Sequence, residues 1–142
     1  MTVRIAQEIG MQTVAGYAER FGVYDRMGPF LANALGAQET TLFKMVAAYA
    51  MFAHGGVRVE PTPADRLHYR YGHTIYRHDQ RTCEDCAHPI LPEGPGVRIT
   101  SNRERVMNAI TAYQLTSMME GVVQRGSASR LDLPVPIAGK TG

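Results

Sequence analysis

The chain has 142 residues, 15 Lys+Arg against 13 Asp+Glu, a net charge of +2, 44% apolar and 20% charged residues. That balance excludes wholesale disorder, and the length suits one domain with a real core. The small charge and the lack of a Lys/Arg-rich run argue against a nucleic-acid partner, and every apolar stretch falls short of the roughly 20 residues that span a bilayer. The first residues, Met1-Thr-Val-Arg-Ile-Ala-Gln-Glu8, lack the apolar core of a signal peptide. The chain is therefore expected to be cytosolic or part of something longer.

In chain order, Val3, Ile5, Ala6 and Ile9 mark a first short helix over Thr2–Ile9, and Gly10 interrupts it. Met11, Val14, Ala15, Ala18 and Phe21 recur at spacings of three and four, which predicts a second helix over 12–21, ended by Gly22 at positive φ. Residues 23–38, with Gly28-Pro29 and Gly36, read as a loop. Leu42–Ala53 is apolar nearly all round and is expected to be a helix buried on several sides, with Thr41 as N-cap and Gly55-Gly56 after it. Leu67, Tyr69 and Tyr71 alternate, Gly72 breaks the run, and Ile75 and Tyr76 resume it, which predicts a hairpin over 66–78 with packed tyrosines. Residues 81–100 hold Cys83, Cys86, Pro89, Pro92 and Pro95 and read as a surface loop. Ile110, Tyr113, Leu115, Met118, Met119, Val122 and Val123 cover one broad face of a helix over 107–124, closed by Gly126, with Met107, Met118 and Met119 in the core. A strand over 137–142 ends the chain. The order of helices, hairpin, helix and strand predicts an α+β protein.

Lys140-Thr141-Gly142 is the triplet with the most chemistry. Gly139-Lys140-Thr141 supplies the second half of a Walker A loop, but Pro134 stands where that loop needs its first glycine, and no helix follows. Lys-Thr-Gly also occurs on a strand edge in penicillin-recognising serine enzymes. There the ammonium supplies positive charge, the hydroxyl holds a substrate carboxylate, and the glycine admits substrate backbone. In isolation the triplet reads as a solvated lysine in a turn.

Thr41-x-x-Lys44 has the form of a nucleophile and base one helical turn apart, but Thr41 is expected to cap the helix and Lys44 to reach solvent. Cys83-Glu-Asp-Cys86 leaves three readings open. The acids between the cysteines oppose a redox thiolate; His78 and His88 would complete a zinc tetrahedron; a local disulfide or two inert thiols is the third. The histidines His54, His68, His73, His78 and His88 form no metal-binding repeat.

The run Thr111-Ala-Tyr-Gln-Leu-Thr-Ser-Met-Met-Glu-Gly-Val-Val-Gln-Arg-Gly126, then Ala138-Gly-Lys-Thr-Gly142, resembles the C-terminal half of the transpeptidase domain of class A penicillin-binding proteins, 1A type. Met1-Thr-Val-Arg-Ile-Ala-Gln-Glu-Ile-Gly10 is similar to the stretch just after that family's Ser-x-Asn motif. Tyr17-Ala-Glu-Arg-Phe-Gly22, Leu35-Gly36, Glu39-Thr-Thr41, Ala48-Tyr-Ala-Met-Phe-Ala53, Gly55-Gly56 and the Asp65-Arg66…Tyr71-Gly72…Ile75-Tyr76 hairpin follow in the same order. The resemblance covers essentially the whole chain.

It implies a partial penicillin-binding protein/β-lactamase-like transpeptidase fold, helices packed on an antiparallel sheet and truncated at both ends. Residues 1–142 would belong to one domain, with a hairpin and Cys-loop excursion at about 57–100. In that family a serine in Ser-x-x-Lys attacks the penultimate D-Ala carbonyl of a peptidoglycan stem peptide, D-Ala leaves, and an amine of a neighbouring stem peptide takes the acyl group; β-lactams acylate the same serine. The implied partners are peptidoglycan stem peptides, β-lactams and the rest of the transpeptidase domain, with no cofactor. Lys140, Thr141 and Gly142 would bind substrate.

No Ser-x-x-Lys or Ser-x-Asn occurs here; Ser101 and Asn102 are adjacent. Both motifs are expected before Met1, so no residue of this chain is expected to be catalytic and the chain alone to be inactive. The resemblance further implies a membrane-anchored parent on the periplasmic side of the bacterial inner membrane, with a glycosyltransferase domain upstream. The alternative is a non-catalytic binding module whose Cys loop is organised by zinc or a disulfide. A domain cut through its middle is expected to leave the partner-facing sides of Leu42–Ala53 and of the 137–142 strand uncovered.

Overall fold

A computed structural model describes residues 1–84, 86, 97–131 and 133–141. The elements are α1 (Thr2–Ile9), α2 (Met11–Arg20), a 3-10 turn (Leu31–Leu35), α3 (Leu42–Ala53), β1 (Arg66–His68), β2 (Thr74–Arg77), β3 (Thr82–Glu84), β4 (Arg98–Thr100) and α4 (Ala109–Arg125). The class is α+β, as the sequence predicts. The chain divides into two compact units, Met1–Glu60 with Arg105–Gly142, and Pro61–Glu104. Among the described residues no helix is long and apolar enough to cross a membrane.

In the helical unit, Gly10 (φ 84°) separates α1 from α2. Gly22 (φ 68°) ends α2, where the Val23 amide reaches back to the Ala18 carbonyl at 2.9 Å. Two apolar clusters form the core. Ala6, Met11, Ala15 and Met27 join α1 and α2 to the segment after them. Phe21, Ala48, Met51 and Val106 join α2 and α3 to the chain entering α4, with the Phe21 and Phe52 rings 5.1 Å apart. Val106 is fully buried.

Side-chain hydrogen bonds hold the loop over 23–38, with Gln38 at their centre. Gln38 Oε1 accepts from the Gly28 amide (3.2 Å) and from Asn33 Nδ2 (3.2 Å), while its Nε2 donates to the Arg26 carbonyl (2.8 Å). Tyr24 donates its hydroxyl to the Gln38 carbonyl (2.8 Å). Glu19 adds an acceptor for the Met27 amide at 2.8 Å.

A close backbone contact lies after α3. The Gly56 carbonyl accepts the amides of Val106 (2.8 Å) and Met107 (3.1 Å), and Val57 and Arg105 form an antiparallel bridge. Arg105 Nη1 donates to the Gly55 carbonyl at 2.5 Å. Gly56 is buried at φ 85°, and a Cβ there would stand 2.3 Å from the Met107 carbonyl oxygen. No side chain fits.

In the second unit, β1 and β2 form the expected antiparallel hairpin, with Arg66 opposite Arg77, Leu67 opposite Tyr76, and a bulge at Leu67/His68. Gly72 (φ 86°) follows the turn and donates its amide to the Tyr69 carbonyl (2.8 Å). Asp79 accepts from Arg81 Nε and Nη2 (2.8 and 2.5 Å), and those hydrogen bonds hold its carboxyl well below the ordinary 3.8.

Several expectations change. The 81–100 segment is not loop throughout: its described ends pair as β3 and β4, Thr82 opposite Thr100 and Glu84 opposite Arg98. The β-branched Thr82, Ile99 and Thr100 favour that ladder; the prolines lie outside the described residues. No strand forms over 133–141, because no neighbouring segment offers a hydrogen-bonding edge among the described residues. Helix α3 is buried along one stripe, Ala47, Ala48 and Met51, while Leu42, Phe43 and Val46 are exposed, as expected of a face whose cover lies elsewhere. On α4 only Ala112 is buried, and Met118 is exposed; Tyr69, Tyr71 and Tyr76 of the hairpin are exposed too. Those side chains match an apolar period without being buried; on the hairpin the Tyr69 and Tyr71 rings lie 5.8 Å apart and face each other rather than a core.

Gly56→Ala combines a left-handed backbone with a clash against backbone and is expected to destabilise the chain by more than about 2 kcal/mol. Gly72→Ala meets the backbone strain with open space around it and is expected to cost about 1 kcal/mol. Urea denaturation of the two variants tests the ordering.

Candidate functional site

The C-terminal triplet is positioned by α4. Asn108 begins that helix by accepting the Ile110 amide on Oδ1 at 2.8 Å, satisfying an orphan donor. Gly126 ends it. A Cβ on Gly126 would lie 2.8 Å from the Val122 carbonyl oxygen, so the chain turns there against its own last helical turn. The Ala128 amide then bonds to Val122 O (3.1 Å) and the Ser129 amide to Gly126 O (3.2 Å). The result is a short, hydrogen-bonded turn that carries Ser127 at its outer side, exposed to solvent.

The tail runs back along the same helix. The Gly139 amide donates to the Met119 carbonyl at 3.3 Å, which places residues 137–141 beside the middle of α4. Ile137, Ala138, Gly139 and Thr141 are half-buried and Lys140 is exposed. The Thr141 hydroxyl lies 2.7 Å from the Ser127 hydroxyl. Lys140 folds its ammonium onto the Thr141 carbonyl. An apolar groove of about 490 Å³ adjoins this tail, lined by Leu42, Met45 and Tyr49 of α3, Thr116 and Met119 of α4, and Ala138. A cation and a hydroxyl on consecutive residues suit a carboxylate ligand chemically: an ammonium supplies charge and a hydroxyl a directed donor.

Of the residues singled out from sequence, Lys140 and Thr141 sit together, and Gly142 lies outside the described residues. The sulfurs of Cys83 and Cys86 are in contact, with Cα atoms 5.7 Å apart. His78 is half-buried with Nδ1 3.3 Å from the Tyr76 hydroxyl. His88, the fourth member of the zinc reading, lies outside the described residues. Among the described residues no group of three or more His, Cys, Asp or Glu is arranged to hold a metal ion.

Thr41 accepts the Lys44 amide at 3.2 Å, so it caps α3 as expected. Lys44 does not simply reach solvent: Nζ pairs with Asp25 Oδ1 at 2.7 Å. The chain's serines are Ser101, Ser117, Ser127 and Ser129, and its lysines Lys44 and Lys140; no serine has a lysine three residues on. Sequence reasoning missed the role of Asn108 as a cap, and it missed Ser127 as the partner of Thr141. The run Gly126-Ser-Ala-Ser129 carried a signal, since small residues after a helix permit a close turn.

The family model for the penicillin binding protein transpeptidase domain matches residues 1–142. The chain belongs to the penicillin-binding protein transpeptidase family. It is 36% identical to a penicillin-binding protein 1A of Rickettsia bellii over 149 aligned residues, which cover 100% of this chain and 18% of that protein. It is 31% identical to the penicillin-binding protein 1A of Neisseria meningitidis, of which it covers 16%, and 29% identical to that of Pseudomonas aeruginosa, of which it covers 21%. In both matches 100% of this chain is aligned. The chain thus spans about a fifth of the length of the curated relatives it matches. It is part of a penicillin-binding transpeptidase domain.

Removing the α3 cap should leave the segment that carries Lys140 and Thr141 untouched. Thr41→Ala is expected to lower stability by about 1 kcal/mol in chemical denaturation and to leave penicillin labelling of the whole transpeptidase unchanged. Loss of labelling with stability intact would restore Thr41 and Lys44 as a reactive pair.

Proposed function

We propose that this chain is the part of a peptidoglycan D,D-transpeptidase that supplies one wall of its substrate groove. The observation that carries the proposal is the pairing of Lys140 and Thr141 on a segment pinned to α4, within a family match that runs through all 142 residues. The nucleophilic serine comes from sequence outside these residues, since no Ser-x-x-Lys or Ser-x-Asn is present in them.

The reaction is acyl transfer on serine. The serine oxygen attacks the penultimate D-Ala carbonyl and gives up its proton to a neighbouring base; the C–N bond breaks and D-Ala departs with that proton. An amine of a second stem peptide then attacks the ester, forms the cross-link and frees the serine. β-Lactams enter the same first step and stop there. Lys140 and Thr141 hold the carboxylate that both ligand classes carry, which fixes the scissile carbonyl relative to the serine. Gly142 lets substrate backbone approach the groove wall. The transfer requires no metal or cofactor. The parent protein is a membrane-anchored peptidoglycan synthase facing the periplasm, with a glycosyltransferase domain upstream.

The same compartment favours oxidised cysteines. Cys83 and Cys86 form a disulfide beside the β3–β4 ladder. Thiol titration of the chain prepared without reductant is expected to find no free thiol, and intact mass to rise by two hydrogens on reduction. Two free thiols in the oxidised preparation would refute the pairing.

Fluorescent penicillin tests the function. The whole transpeptidase is expected to be acylated with one label per chain and the 142-residue chain to remain unlabelled. Lys140→Ala in the whole protein should slow acylation by roughly 10- to 100-fold, the worth of a hydrogen bond to a charged group. A stoichiometric adduct on the 142-residue chain would overturn the proposal.

A further inference from the structure

The contact between Ser127 and Thr141 has a direction that chemistry decides. A threonine hydroxyl has one proton and two lone pairs, and an ionised carboxylate only accepts. If Thr141 binds a ligand carboxylate, as the proposed function has it, its proton points at the ligand. The 2.7 Å contact to Ser127 must then run the other way, with Ser127 Oγ–H donating to Thr141 Oγ1. Either oxygen is able to donate in the unliganded chain; the ligand selects one direction.

Ser127 is held where that donation is possible. The turn carrying it is fixed to α4 by the Ala128 amide on Val122 O (3.1 Å) and followed by the Leu131 amide on Ala128 O (3.0 Å). Gly126 supplies the close approach that brings the turn over the last helical turn. Thr141 is fixed independently, two residues after the Gly139–Met119 hydrogen bond. The two hydroxyls are therefore presented to each other by the two ends of one connection that starts and finishes on α4.

We propose that Ser127 is a positioning residue for carboxylate binding: by donating to Thr141 Oγ1 it orients the Thr141 proton toward the ligand and polarises it. Donation into one lone pair strengthens the outgoing O–H as a donor. Ser127 itself touches no substrate in this arrangement.

The test uses the whole transpeptidase and the rate of acylation by penicillin, with the thermal midpoint followed alongside. Ser127→Ala is expected to slow acylation about five- to tenfold with the midpoint unchanged, and Ser127→Thr, which keeps the donor, to restore the rate. Thr141→Ala should slow acylation as well, and adding Ser127→Ala to it should change nothing further. A penicillin with its carboxylate esterified should react equally with the parent and with Ser127→Ala, since the effect acts through the carboxylate. That comparison stands even if the variant is less stable, because both probes meet the same folded fraction.

A slowed Thr141→Ala with an unaffected Ser127→Ala would overturn this inference and leave the proposed function standing. Full activity in Thr141→Ala would overturn both. Equal slowing of the free acid and the ester in Ser127→Ala would overturn the positioning role.

Discussion

The helical unit depends on one backbone carbonyl. Gly56 O takes the amides of both Val106 and Met107, and this clasp brings the chain back onto the core after the excursion through residues 61–104. Val106 is driven into the space among Phe21, Ala48 and Met51 because its backbone is fixed there, and α4 starts within a few residues of it. The direction in which α4 leaves is thus set at Gly56. Hydrogen-bond geometry, buried apolar contact and a position that admits only glycine coincide at one point.

From that point the candidate site follows by a chain of local constraints. Asn108 caps α4, α4 presents Met119 O and Val122 O, and these two carbonyls receive the two ends of the connection between Ser127 and Thr141. A surface hydroxyl pair would ordinarily be free to rotate. Here both backbones are held, so the cost of ordering the pair is met by the fold before any ligand arrives. The apolar groove beside Ala138 belongs to the same construction, since α3 and α4 define both its walls.

Much of this was legible in the residues. The spacing of Met11, Val14, Ala15 and Ala18 marked α2, and Gly10 and Gly22 marked its ends, because helix periodicity and glycine stops are local properties. The all-round apolar surface of Leu42–Ala53 announced the helix but not its burial, which is confined to the stripe of Ala47, Ala48 and Met51 because burial depends on which neighbours are present. Non-local features stayed hidden. Nothing in Thr82-Cys-Glu84 points to Arg98-Ile-Thr100 as its partner across a proline-rich interval. Gln38 looks like any polar loop residue until its hydrogen bonds to Arg26, Gly28 and Asn33 are seen. At the site, Lys140-Thr141-Gly142 stood out because its chemistry is written in three consecutive residues. Ser127 did not, because a single serine carries no period and its importance lies in a contact with residue 141.

The bridge between Val57 and Arg105 has a consequence for how this family can diversify. A segment that departs and returns at paired residues is closed by the clasp whatever its length, and the entropy of closing such a loop rises only with the logarithm of its size, about 0.6 kcal/mol per doubling. The region 61–104 is therefore a slot in the domain: its contents can be exchanged, shortened or elaborated between species at little thermodynamic cost to the groove wall. Evolution gains a place to vary sequence while the segment that carries Lys140 and Thr141 is kept.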